Sequence, residues 1–312
     1  MILGGGISGL SAAWYLKKKH SRAKITLLEK ESRLGGWVQT RKEGGFVFEE
    51  GPRTFPWLRS LHLRELIGEL GLEKEILFSS HRAKKRYLWH QGHLRSIGSL
   101  LPGMIWPLIR GRFRKNLEGD VSIYDFAVQK YGKNVAETLI DPLVLGIFGG
   151  DIRKLSVASC FPEWQKSKSF APPSGPLFAL KGGMQRLIEE LQRQSSIEIV
   201  SSCPVEALHR DGVVAGQKFW EGDRIVSALP GQELGRLTGD WPDFPTVSLW
   251  RVFLAYPEAA LPKSGFGYLV PSQEKETVMG MVWDSEIFPQ QNISSETRVT
   301  AMLKHETKEP LQ

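Results

Sequence analysis

The 312 residues are 41% apolar and 24% charged, with a formal net charge of +7, a size and balance that carry two folded domains and exclude a disordered chain. Two cysteines, Cys160 and Cys203, are too few for a disulfide framework or a thiolate metal site, and they read as buried thiols of a reducing compartment. The positive charge is concentrated, since His81 to Leu117 holds nine Lys and Arg and no Asp or Glu.

The first stretch, MILGGGISGL, places a short apolar strand ahead of Gly4, Gly6 and Gly9, and a helix with Leu10, Ala12, Ala13 and Leu16 behind them. In this G-x-G-x-x-G spacing the first glycine makes a tight turn, the second admits a pyrophosphate to the backbone, and the third lets helix and strand pack closely. The helix start offers free N–H groups and the positive end of its dipole, so Gly4, Gly5, Gly6, Ile7, Ser8 and Gly9 form the expected phosphate cradle. A second strand over Lys24 to Leu28 ends on Glu29, and Glu29 and the adjacent Lys30 are expected cofactor contacts. Glu29 is placed to accept hydrogen bonds from an adenosine ribose, and its charge would repel the 2′-phosphate of NADP. The sequence opens directly on the strand and leaves no room for a signal or transit peptide, so the expected location is cytoplasmic.

The next run, Arg33-Leu34-Gly35-Gly36-Trp37-Val38-Gln39-Thr40, resembles the R-x-G-G-x-x-x-[ST] signature that follows the dinucleotide fold in amine oxidase-like flavoproteins. The resemblance selects FAD over NAD and adds Arg33, Gly35, Gly36 and Trp37 to the expected contacts. A strand over Gly45 to Glu49 then runs into a turn marked by Gly51 and Pro52. Alone this is a plain loop; in the resembling flavoproteins it touches the flavin. Leu58 to Leu70 keeps helical spacing, and Gly71 ends it.

Within the basic segment, Lys84 and Lys85 read as a solvated strand edge. Arg86 precedes the alternating Tyr87, Leu88 and Trp89 and offers the planar fork that matches a carboxylate. Ile97 to Ile109 is an apolar run broken by Pro102 and Pro107 and closed by Arg110, Arg112, Arg114 and Lys115. It is too short to span a bilayer. Two readings stand, a surface lying in an anionic membrane interface and a buried helical hairpin with exposed basic ends. Nucleic acid is disfavoured, because no aromatic residues are interleaved as stacking platforms.

Ser122 to Leu145 is expected to be helical and leads into Gly146-Ile147-Phe148-Gly149-Gly150-Asp151, which suits either a turn or a backbone held flat against a large planar ligand. Pro172, Pro173 and Pro176 form a linker, and Lys181 to Met184 opens a helix to Leu191. Strands are expected over Ile197 to Val200, Pro204 to Leu208, Val213 to Phe219 and Arg224 to Ala228. Four more follow, over Thr246 to Ala255, Gly267 to Val270, Thr277 to Trp283 and Thr297 to Leu303, ahead of a polar tail.

The whole chain resembles the protoporphyrinogen oxidase family of flavoproteins. The motifs that carry this are GGGISG, RLGGW, GPR at Gly51 to Arg53, Gly146 to Asp151 followed by Leu155-Ser156, Ser159-Cys160-Phe161-Pro162, Gly265 to Pro271, Trp283-Asp284-Ser285 and Arg298-Val299-Thr300. The implied fold is α/β: a Rossmann-like FAD-binding domain (1–82 and 173–242), an α+β substrate domain (83–99, 145–172 and 243–312), and a small helical membrane-binding insertion (100–144). The implied activity is oxidation of protoporphyrinogen IX by FAD in repeated rounds, with molecular oxygen as acceptor and hydrogen peroxide as product. The flavin does that chemistry, so no catalytic side chain is expected. The resemblance implies a propionate contact for Arg86, macrocycle contacts for Gly146, Phe148 and Gly149, an adenine contact for Val205, and contacts nearer the flavin for Trp37, Gly51, Pro52, Arg53 and Thr54. It also implies peripheral attachment to the inner face of the cell membrane, allows a homodimer, and suggests handover of product to a ferrochelatase.

The family's sequence continues beyond the point matching Leu303, and nothing from Thr300 to Gln312 resembles that continuation. Either the chain is short at this end, which puts FAD retention and activity at stake, or a second polypeptide supplies the rest. The rival activities are oxidation of coproporphyrinogen III or of another hydrophobic substrate, such as a carotenoid precursor or an amine; Arg86 favours a carboxylated one. From a different class, the chain could be a remnant without turnover.

Overall fold

The computed structural model describes residues 1–111, 119–167, 175–239, 246–293 and 296–305. Two units emerge, one of Met1–Phe78 with Gly175–Thr246, the other of Ser79–Ser174 with Val247–Gln312. Residues 100–144 fall within the second. Arg112, Arg114, Lys115, Pro172, Pro173 and the tail from Glu306 lie outside the described residues.

The first unit is built on a parallel sheet in the order Glu198–Val200, Thr26–Leu28, Ile2–Leu3, Val226–Ser227. Its central residues Ile2, Leu3, Leu27 and Leu28 are successive apolar residues, buried without alternation, as expected where a parallel strand is covered on both faces. Helix Ile7–Lys19 joins the first two strands and buries Gly9, Leu10 and Ala13. Further on, Val205–Leu208, Gly212–Ala215 and Lys218–Glu221 form an antiparallel meander that buries Cys203, Val213 and Ala215 with Leu3 and Leu28. The single strand expected from Val213 to Phe219 is two, because Gly216 and Gln217 both take left-handed backbone (φ 55° and 63°). That is the geometry of a two-residue hairpin turn.

The second unit carries a six-stranded sheet in the order Leu249–Tyr256, Thr297–Lys304, Val278–Val282, Gly267–Leu269, Tyr87–His90, His93–Ser96. Every pairing is antiparallel except that of Gly267–Leu269 with Tyr87–His90. A helical layer packs on Leu88 of this sheet around Phe126, Ile140, Val144 and Trp164, and Trp164 stacks on Phe161 with ring centroids 3.8 Å apart. Cys160 is only half-buried, unlike Cys203.

The helix expected from Ser122 to Leu145 is broken. Ile123–Tyr131 ends at Gly132, a π-helical turn occupies Ala136–Ile140, and Asp141–Phe148 follows. Pro142 has no N–H for the preceding turn, and that loss explains the widening. The apolar run forms short helices, Ile97–Leu100 and Ile105–Gly111, with a tight turn at Leu101–Gly103 between them. Among the described residues no helix is long and apolar enough to cross a membrane.

Candidate functional site: a dinucleotide cradle and an arginine-bearing sheet

The cradle forms where strand Ile2–Leu3 turns into helix Ile7–Lys19. A side chain at Gly9 would run into the carbonyl oxygen of Gly4, so the third glycine is needed for helix and strand to close. At Gly6 the situation is reversed: its backbone is ordinary (φ −70°), and a first side-chain carbon would have only Gly36 Cα nearby, at 3.9 Å. That room lies at the start of a helix with no side-chain cap and no acid in its first turn. The unpaired N–H groups of such a helix start suit a phosphate. The cradle therefore fits the pyrophosphate of a dinucleotide, with Ile7, Ser8 and Gly9 supplying the N–H groups.

Glu29 ends the neighbouring strand and is only 8% exposed. Its Oε2 accepts from the Gly5 N–H at 2.6 Å, and its Oε1 from the Glu31 N–H at 2.9 Å. Each oxygen keeps capacity for a second donor, which two ribose hydroxyls can supply. The Glu29 and Glu31 carbonyls accept from the Cys203 and Ser202 N–H groups at 2.8 and 2.9 Å. These bonds hold the loop that leads to Val205 beside Glu29. Lys30 is exposed, with its amine 3.7 Å from Glu31.

Arg33 bonds within the turn that it opens. It donates to the Leu34 and Gly36 carbonyls at 3.3 and 2.8 Å, bracing the turn whose Gly35 N–H donates to the Gly5 carbonyl at 2.8 Å. Gly35 takes a φ of 110° in that turn, a conformation side chains disfavour. Trp37 is 82% exposed, and its carbonyl abuts Gly51 so closely that no side chain fits there. Pro52 is exposed and Arg53 and Thr54 half-buried just beyond.

One residue of this assembly was not foreseen. Glu49 accepts from the Thr40 hydroxyl at 3.0 Å and from the Met184 N–H at 2.7 Å, while the Gln185 N–H donates to Thr40 at 3.1 Å. A carboxylate and a hydroxyl thus cap helix Gln185–Gln194 from the hairpin Thr40–Glu43 and Phe46–Glu49. The clue was present, since a helix opening on G-G-M brings no side-chain cap of its own and must borrow one.

In the second unit Arg86 is half-buried, with its guanidinium carbon 5.0 Å from the Phe266 ring centre. Among the described residues this guanidinium makes no hydrogen bond or ion pair. Burial lowers its pKa, yet arginine starts so high that it stays charged. Gly265 and Gly267 explain why the G-F-G run is needed: a side chain at Gly265 would sit 2.7 Å from the Tyr87 ring, and one at Gly267 would strike the Met281 carbonyl. The tight backbone sets Phe266 under Arg86.

The glycines near Phe148 serve packing more than was expected. Gly146 lies inside helix Asp141–Phe148, and a side chain there would meet Leu269 at 2.6 Å. The close approach it permits is therefore to the sheet. Gly149 is the left-handed residue that ends the helix, facing Leu249. Phe148 is 40% exposed, packed edge-on against Phe161.

Residues 7–311 match the family described as flavin containing amine oxidoreductase. The chain belongs to that family. It is an FAD-dependent oxidoreductase by this membership, in keeping with the cradle. It is 31% identical to protoporphyrinogen oxidase of Homo sapiens over 97% of this chain and 76% of that protein. It is 26% identical to coproporphyrinogen III oxidase of Bacillus subtilis over 93% and 73%. Among solved structures, a putative protoporphyrinogen oxidase from Exiguobacterium superposes with a TM-score of 0.82 at 22% identity, covering 97% of this chain and 76% of that one. Putrescine oxidase bound to putrescine gives 0.69 at 16% identity, covering 98% and 75%. Both share the fold of this chain.

Proposed function

We propose that this flavin amine oxidoreductase oxidises a porphyrinogen to the porphyrin, with protoporphyrinogen IX as substrate and molecular oxygen as final acceptor. Bound FAD would supply the hydride acceptor and pass the electrons to oxygen, giving hydrogen peroxide. The residues of the chain bind and orient. Gly6 leaves room for the pyrophosphate, the start of helix Ile7–Lys19 faces its charge, and Glu29 takes the ribose hydroxyls. Arg86 holds a propionate as a charge-assisted pair, and Phe148 offers an apolar surface to the macrocycle.

The observation that carries the reading is the half-buried guanidinium of Arg86, set over the Phe266 ring. An arginine kept from water in this way gains most from a carboxylate ligand, and an amine would be repelled. The curated relatives are named for two carboxylated porphyrinogens, and coproporphyrinogen III is accordingly the second reading. The test is steady-state kinetics of Arg86→Ala. Loss of a charged hydrogen bond of about 1.5–3 kcal/mol raises KM by about tenfold or more, with the flavin spectrum unchanged. An unaltered KM would remove Arg86 from the site.

We further propose that the helix Ile105–Gly111 rests on the inner face of the cell membrane. Its Ile105, Trp106 and Ile109 are 50%, 66% and 45% exposed, Arg110 is exposed beside them, and Gly111 packs on Tyr131 from the opposite side. An aromatic and two branched side chains next to a cation suit a lipid interface.

A further inference from the structure

The run that begins at Arg33 closes on Thr40, and the first unit gives that hydroxyl a task. Thr40 opens the hairpin strand Thr40–Glu43 and stands opposite Glu49 in its partner strand. Its hydroxyl donates to Glu49 Oε2 at 3.0 Å and accepts from the Gln185 N–H at 3.1 Å, while Glu49 Oε1 accepts from the Met184 N–H at 2.7 Å. A hydroxyl has one proton to give, so the direction is fixed, from helix to hydroxyl to carboxylate. Gly183, at φ 104°, carries no side chain because Thr40 fills that place. The helix Gln185–Gln194 has no side-chain cap of its own, and two N–H groups at its start are satisfied from the hairpin.

That helix leans on the dinucleotide cradle. Ile188 follows Gln185 within the first turn and is buried, and its side chain lies 3.2 Å from where a side chain of Gly35 would begin. Gly35 is in turn bridged to Gly6, and its N–H donates to the Gly5 carbonyl at 2.8 Å. Gly36 Cα is the atom that borders the open space at Gly6. The helix packs as well on Ile7–Lys19, the helix that begins at the cradle. From the Thr40 hydroxyl to the room left for the pyrophosphate, the route therefore runs through one turn of helix and one glycine turn. A helix start that loses a cap frays first in its first turn, and here that turn carries Ile188.

We propose that Thr40 is a positioning residue for FAD, whose hydroxyl sets the Gly35–Gly36 turn against Gly6 and so fixes the width of the pyrophosphate cradle. The role is independent of which substrate the flavin oxidises. The experiment uses the full chain freed of FAD and two probes, FAD and ADP, the second of which carries pyrophosphate and adenosine without the flavin ring. Thr40→Val and Thr40→Ala remove the hydroxyl, with and without the bulk beside Gly183, and Thr40→Ser keeps it. Dissociation constants are measured by flavin fluorescence for FAD and by calorimetry for ADP, at a temperature where each variant is folded, alongside melting temperatures. Thr40→Val and Thr40→Ala should weaken FAD and ADP alike by about tenfold, the scale of one lost cap. Thr40→Ser should stay within about twofold of the parent for both. Hydroxyl-free variants that melt lower but bind both probes as the parent does would overturn the proposal and leave Thr40 a helix cap alone. A loss confined to FAD would also overturn it, by moving the effect to the flavin end, as would failure of both hydroxyl-free variants to fold. A parent that binds neither probe would remove the cradle, and the role of Thr40 with it.

Discussion

The Glu29 carboxylate accepts the Gly5 N–H at 2.6 Å and so ties the end of the second strand to the glycine loop of the first. One side chain thereby fixes the loop that faces the pyrophosphate and the oxygens offered to the ribose. Glu29→Ala leaves the Gly5 N–H without its partner, at a cost of about 1–3 kcal/mol in stability, and also removes the proposed ribose contact. Flavin titration should show FAD affinity reduced about tenfold or more, with a lower melting temperature. A variant that binds FAD normally would separate Glu29 from the site.

Gly6 and Gly9 should respond differently to the same added methyl group. Gly9→Ala drives that methyl into the Gly4 carbonyl, an overpacking that costs about 1–3 kcal/mol or more. Gly6→Ala meets open space beside Gly36 and should leave the melting temperature of the FAD-free protein within about 2–3 °C. It should still abolish FAD binding, because the methyl occupies the approach of the pyrophosphate. Calorimetry and flavin fluorescence on both variants check the contrast.

Much of this cradle is legible in the sequence because its constraints are local. Gly4, Gly6, Gly9 and Glu29 are spaced by the lengths of one strand and one helix, so periodicity places them. Glu49 was missed because its partners Thr40 and Met184 come together only after the chain has passed through the second unit and returned. At Gly146 the glycine-rich run gives no sign of the neighbour that fills the place of its side chain, Leu269. The hairpin at Gly216 and Gln217 was hidden by apolar residues on both sides, which read as one continuous strand.

Asp141 gives the second unit a pH dependence of stated sign. Its carboxylate accepts from the Ser272 N–H at 2.7 Å and the Ser272 hydroxyl at 3.0 Å, but burial outweighs these bonds and raises its pKa. The folded protein then holds this proton more tightly than the unfolded chain. Stability from this group is complete below the ordinary carboxylate value of about 4 and declines as pH rises through the raised folded value. Asp141→Asn removes the dependence. Denaturant unfolding should therefore favour the variant over the parent more at pH 7 than at pH 4, and a gap independent of pH would contradict the assignment.

The membrane proposal is checked by flotation with vesicles. The protein should float with vesicles rich in anionic lipid and less with neutral ones, and added salt should weaken the difference. Replacing Ile105, Trp106 and Ile109 together by Ser should abolish flotation without lowering the melting temperature, because these side chains face outward. Equal flotation of parent and variant would assign the contact to another surface.

The central claim, that the chain binds FAD and uses it to oxidise a porphyrinogen, is tested most directly by anaerobic mixing of the FAD-loaded protein with protoporphyrinogen IX while flavin absorbance is followed. The account predicts bleaching of the flavin band, and on admission of oxygen its recovery with the appearance of porphyrin fluorescence. A flavin that stays bound and oxidised in the presence of protoporphyrinogen IX and of coproporphyrinogen III alike would contradict it.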